Sequence, residues 1–306
     1  MSHSTEHNSR PEQSATLFIA ASETDSNLYY ATRFIAPDPF IYLEVKGERL
    51  MVMSDLEVDR ARNQATVDRV LSYSELERRA KSQGVKDPGT IDVIHLVLQD
   101  AGLKDILVPP TFPFLHASRL QELGYRLRTK REPFYEQRVM KSDDEVRHIE
   151  AAQRATETAV AAAHQTLRRA EIRDNVLWLD GEMLTSERVK KLINVALMEC
   201  DCVAQHTIVA GGEQACDPHD EGSGPLPAHR SIIFDVFPRS AGTRYFADMS
   251  RTVVRGTPSP ELTRLYHAVK DAQEEAITKI RDGADGAAIH QGICDRFEKA
   301  GYKTGL

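Results

Sequence analysis

Residues 231–255 read SIIFDVFPRSAGTRYFADMSRTVVR. Two runs rich in Ile, Phe, Val, Tyr and Thr flank Pro238, Ser240 and Gly242, the composition of two strands joined by a tight turn. With Ala241 and Gly242 as a two-residue loop, pairing outwards sets 240 against 243, 237 against 246, and Asp235 against Asp248. Directly opposed residues on antiparallel strands hold their Cβ atoms ~4.5–5.5 Å apart, and like charges so placed repel. A cation is therefore expected between the two acids. Arg239, Arg244 and Arg251 can supply it from a surface hairpin, or a divalent ion can take oxygens from both carboxylates. The apolar lead-ins Ile232-Ile233-Phe234 and Tyr245-Phe246-Ala247 favour the ion, because carboxylates buried without a partner are too costly to keep.

At 306 residues the chain has length enough for two domains, each with its own core. A net charge of -7 and the lack of any Lys or Arg run argue against nucleic-acid binding. The longest apolar run, 91–98, is interrupted by Asp92 and His95 and is too short for a bilayer, so no membrane partner is expected. The opening MSHSTEHNSRPEQS has neither the basic nor the apolar region of a signal peptide, which predicts a cytoplasmic protein. Cys200, Cys202, Cys216 and Cys294 lack metal-finger spacing and read as reduced thiols.

Outward from the ribbon, residues 1–14 are expected to be a disordered polar tail. A buried strand at 16–21 and a hairpin of 40–45 with 50–53 around Lys46-Gly47 follow. Helical periodicity covers 56–63, 74–82, 90–101 and 117–123, with a strand at 105–108. Strands alternate with helices, which predicts an α/β domain over 15–131. His95 and His116 stand alone in it and read as structural. After a charged linker at 132–141, Ser142 and Glu145 form a capping box that opens a long amphipathic helix and a second domain, 142–306. That domain continues with a helix at 186–200, a strand at 207–210, and a loop crowding Asp217, His219, Asp220 and Glu221. Beyond the ribbon, Ser259-Pro260 opens a helix that Gly283 ends, and another spans 286–300.

This order of features resembles the pita-bread metallopeptidases, which include Xaa-Pro aminopeptidases, prolidases and methionine aminopeptidases. Arg138-Val139-Met140-Lys141-Ser142 with Glu145 is similar to the family's entry into its catalytic domain. Pro218-His219 stands sixteen positions before Asp235, as the family's substrate-facing histidine stands before its first metal aspartate. Asp248-Met249-Ser250-Arg251-Thr252 is similar to the D-x-[ST]-R-T that carries the second. Through SNLYYATRF and the hairpin after Pro39-Phe40, the first half resembles a creatinase-type N-terminal α/β domain.

The resemblance implies a creatinase-like α/β domain followed by an α+β pita-bread catalytic domain, and hydrolysis of a peptide substrate with an X-Pro bond. It implies two divalent ions, manganese before cobalt or zinc, that activate water. Asp235 would hold one ion, Asp248 would bridge both, and His219 would be catalytic, hydrogen-bonding the substrate or the tetrahedral species. A homodimer follows by analogy. Phe237 stands where the family commonly has Gly, and the family's later metal-binding His and two Glu have no counterpart. The 142–306 domain is thus expected to be partial, and the chain a fragment inactive alone. A creatinase-like C–N hydrolase and a non-catalytic peptide- or protein-binding pita-bread module are the alternative readings.

Overall fold

The computed structural model describes residues 14–303; positions 1–13 of the expected tail and 304–306 lie outside the described residues, while Ser14 already belongs to a strand. The chain divides into two compact units between Met140 and Lys141.

The first unit alternates strands and helices: β1 (Ser14–Ala20), α1 (Ser26–Thr32), β2 (Phe40–Val45), β3 (Glu48–Met53), α2 (Val58–Gln64), β4 (Arg69–Ser72), α3 (Tyr73–Ser82), α4 (Thr90–Ala101), β5 (Asp105–Val108), α5 (Phe114–Glu122) and β6 (Arg126–Thr129). Among the described residues, six strands make one sheet in the order β4-β3-β2-β1-β5-β6. Every neighbouring pair is parallel except those made by β2, which runs antiparallel to β1 and β3. Alternation along β1 sends Leu17 to one face, with Ile41, Val52 and the Val93, Ile94 and Leu98 side of α4. Phe18 goes to the other, with Tyr42, Met51, Leu28, Val58 and Phe134. Both faces are therefore covered, as a largely parallel sheet requires. Here α2 begins two residues later than its periodicity predicts and α5 three earlier, and α1, β4 and β6 were not foreseen. The α1 start depends on the Asp25 side chain accepting the Leu28 N–H at 2.8 Å.

The second unit opens with α6 (Asp143–Arg169), whose first turn carries the expected capping box: Glu145 accepts the Ser142 N–H at 2.9 Å and Ser142 accepts the Glu145 N–H at 3.3 Å. A small meander follows, β7 (Glu171–Arg173), β8 (Val176–Leu179) and β9 (Glu182–Met183), then α7 (Ser186–Met198), β10 (Cys202–Val203), β11 (Ile208–Gly211) and a 3₁₀ turn at Gly212–Cys216. The ribbon supplies β12 (Ser231–Val236), β13 (Arg239–Ser240) and β14 (Met249–Val254), and α8 (Pro260–Lys279) and α9 (Gly286–Lys299) complete the described residues. The antiparallel sheet β11-β12-β14 presents Val209, Ile232, Phe234 and Val236 to Ala159, Ala163, Val189 and Ile193 of α6 and α7. Arg296 of α9 pairs with Asp271 and Glu275 of α8. The apolar Leu265, Val269 and Ile277 of α8, and Ile280 just after it, are exposed.

Candidate metal centre

The ribbon forms, but its loop holds four residues rather than two. Ser240 and Tyr245 close it through a 2.9 Å N–H to carbonyl bond, leaving 241–244 outside the pairing, and the Arg244 N–H returns to the Ser240 carbonyl at 3.1 Å. Arg244 takes a left-handed φ of 64°, and the Ser240 hydroxyl accepts the Thr243 N–H at 3.2 Å, so local side-chain and backbone bonds stabilise the longer loop. The register moves with it. Asp235 pairs with Ser250 and Val236 with Met249, correcting the expected Asp235–Asp248 pairing.

The displacement is two residues, so it changes partners without changing faces. Asp248 becomes the diagonal neighbour of Asp235, about 7–8 Å away between Cβ atoms by sheet geometry, on the same side of the ribbon. The expectation that both acids are buried is also corrected. The apolar residues of β12 divide by alternation: Ile232, Phe234 and Val236 face the core, and Asp235 is half-buried on the opposite face with Ile233 and Phe237. Asp248 is exposed.

The carboxylates sense each other nonetheless. Asp248 has its pKa raised, first by the loss of hydration against the ribbon and second by the negative charge of Asp235. Asp235 Oδ1 accepts the Ser250 hydroxyl at 2.6 Å, which orients one oxygen and leaves the other for a further partner. Arg251, one of the expected counter-charges, donates to the Ser250 carbonyl at 2.8 Å. Among the described residues neither Asp235 nor Asp248 is in an ion pair. Two carboxylates on one face with no built-in cation are suitable donors for a hard divalent ion. Together they offer at most four oxygens, however, and among the described residues no group of three or more His, Cys, Asp or Glu could hold a metal.

The loop crowded with acids is held by them. Asp217 accepts the His219 N–H at 3.0 Å, Asp220 accepts the Gly222 N–H at 2.8 Å, and Glu221 meets His206 Nδ1 at 2.8 Å. Gly222 passes so close to β11 that a Cβ there would lie 1.9 Å from the Val209 carbonyl oxygen, and its φ of +77° adds to the demand for glycine. His219 is exposed in the turn beside this crossing, and among the described residues no hydrogen bond joins it to either carboxylate. Sequence reasoning missed Ser250, for which the hydroxyl in Asp248-Met249-Ser250 was the available signal. It also missed Tyr245, which donates from the ribbon to Glu145 Oε1 at 2.7 Å and lies 5.5 Å, ring to ring, from His148. That bond fastens the ribbon end to the capping box of α6.

Residues 147–306, more than half of the chain, match metallopeptidase family M24. An uncharacterized peptidase of Staphylococcus epidermidis is 29% identical over 54% of this chain, and the match spans 44% of that relative, less than half its length. Among solved structures, the Xaa-Pro dipeptidase from Bacillus anthracis superposes with a TM-score of 0.77 at 17% identity, over 94% of this chain and 73% of that one. The prolidase from Pyrococcus horikoshii OT3 gives 0.74 at 18% identity, over 94% and 74%. At these identities the superpositions bear on the fold.

Proposed function

The chain belongs to metallopeptidase family M24, and on that premise we propose that it carries part of the metal site of a peptidase acting on Xaa-Pro bonds. The observation that supports this reading is the pair Asp235 and Asp248: two carboxylates on one face of a ribbon, unmatched by any cation among the described residues. In this reading Asp235 would hold one divalent ion and Asp248 would serve both, with manganese the metal that hard oxygen donors suit best. When bound, the ions would supply an activated water and polarise the scissile carbonyl.

The chain's own residues do the positioning. Ser250 fixes the rotamer of Asp235 through its hydroxyl, and the Tyr245–Glu145 bond steadies the strand that carries Asp248. His219 serves as the hydrogen-bond donor or acceptor to the substrate, from a turn held by Asp217. The remaining donors must come from groups other than this pair, because two ions need more ligands than two carboxylates provide. The likeness to a prolidase and an Xaa-Pro dipeptidase supports the choice of peptide substrate. Free thiols at all four cysteines suit the cytoplasm, and a homodimer remains part of the proposal by analogy.

Manganese binding measured by electron paramagnetic resonance, alongside cleavage of Xaa-Pro dipeptides, tests the reading. The 306-residue chain should bind manganese weakly, and Asp235→Ala and Asp248→Ala should each weaken it by about tenfold or more. Unchanged binding in Asp235→Ala would remove that residue from the site.

A further inference from the structure

The first unit contains a cavity of about 460 Å³ that the peptidase reading does not use. It opens at the carboxyl ends of β1, β3 and β4, where Ile19, Met53 with Ser54, and Tyr73 reach its wall. In open α/β sheets this end of the strands is where ligands bind. The floor is apolar, with Phe40, Ile41 and Val52 all 5% exposed or less. Five polar residues, Asp38, Ser54, Tyr73, Thr90 and His116, line the same space. Among the described residues none of the five has a side-chain hydrogen bond or ion pair with the protein. A cavity of this volume, lined by apolar residues and a few polar ones, is what a small-molecule site looks like.

Charge selects the ligand. Of the two carboxylates on the wall, Glu57 is matched by Arg60, whose Nε donates to it at 2.6 Å. Asp55 nearby is occupied by the Ser72 and Ser74 hydroxyls at 3.0 and 2.6 Å. Asp38 alone is uncompensated, and it is set between Pro37 and Pro39, which restrict the backbone that carries it. Leu56 and Leu115, the chain neighbours of the lining residues Glu57 and His116, are 94% and 67% exposed. One negative charge beside an apolar floor complements a single positive charge on an apolar body.

We infer that this cavity binds a small apolar amine, its ammonium against the Asp38 carboxylate and its body on the Phe40, Ile41 and Val52 floor. A free amine and the amino terminus of a small peptide-like molecule share this chemistry.

The test is titration of the whole 306-residue chain, followed by amide NMR, with phenethylamine, L-phenylalaninamide and the neutral 3-phenylpropanol. Both amines should shift signals from residues 36–41, 52–54 and 114–116, and the alcohol should bind about tenfold more weakly, the expected worth of one charge-assisted hydrogen bond. Asp38→Asn, on an exposed loop, should bring the amines down to the alcohol's affinity while leaving the rest of the spectrum in place. Tighter binding of phenylalaninamide than of phenethylamine assigns the site to amino termini, and the reverse order to free amines. Failure of both amines to bind, equal binding of the alcohol, or unchanged amine affinity in Asp38→Asn would overturn the inference.

Discussion

In the unit that ends at Met140 both faces of the sheet are covered, and the acids at the end of α4 and the start of β5 meet arginines. Asp105 receives Arg126 through two hydrogen bonds, one of 2.9 Å, and Arg128 at 3.3 Å, and Arg126 first among these holds its pKa down at about 2. Asp100 is met by both terminal nitrogens of Arg79, at 2.5 and 2.6 Å, and its pKa is lowered as well. In the unit that starts at Lys141, the ribbon has its core on one face and its two aspartates on the other. There the shift of Asp248 runs the opposite way, upward, from lost hydration and then from Asp235. Asp105 and Asp100 come with their cations attached. In the proposed reading, the pair whose charges are left to repel each other would take its cation from outside.

The contrast can be broken most sharply in the core behind the ribbon. Phe234 is fully buried where the core face of β12 meets α6 and α7, so Phe234→Ala should cost about 3–5 kcal/mol in urea unfolding. A loss under 1 kcal/mol would mean that this face is not what holds the aspartates in place. Next comes Glu145, buried while it caps α6 and accepts the Tyr245 hydroxyl. Glu145→Ala should cost about 1–3 kcal/mol, and hydrogen exchange should quicken both in the first turn of α6 and along 245–250. Faster exchange in the helix alone would uncouple the ribbon from the cap.

Smaller effects sharpen the comparison of acids. The folded pKa of Asp105 lies below its ordinary value of 3.8, so the native state binds the proton less tightly than the unfolded chain. Its contribution is full above pH 3.8 and is lost as the pH falls through about 2. Wild type should therefore exceed Asp105→Asn in stability at pH 6, with the two converging near pH 2, in parallel denaturation series. Smallest of all is Asp248→Asn at neutral pH without added metal. Removing one of two repelling charges at an exposed position should raise stability by a few tenths of a kcal/mol. Excess manganese should reverse the sign, stabilising wild type over the variant, as thermal unfolding with and without the ion would show.

What could be read from the residues was local. Ser142 with Glu145 announces the start of α6 because a capping box is complete within four positions. Lys46-Gly47, both with positive φ, announces the β2–β3 hairpin for the same reason. The strand β6, Arg-Leu-Arg-Thr, shows little apolar pattern because it lies at the sheet edge, paired in parallel with β5 alone among the described strands. The ribbon itself was legible as a ribbon, but its register depended on Arg244 entering the left-handed region, which an arginine does not advertise. Asp235 and Asp248 stand out by their setting, although alternation, rather than burial of both, decides how they sit. The place of His219 depends on the turn that Asp217, Asp220 and Gly222 build together, and no single residue there announces it.

The parity of the ribbon's register has a bearing on how its loop can vary. Adding or deleting two residues at the tip, where Ala241 and Gly242 are exposed, slides Asp248 along its own side of the strand and keeps it in company with Asp235. A change of one would rotate it to the side of Met249, against the helices. Chains descended from a common ribbon should therefore differ at this tip by even steps.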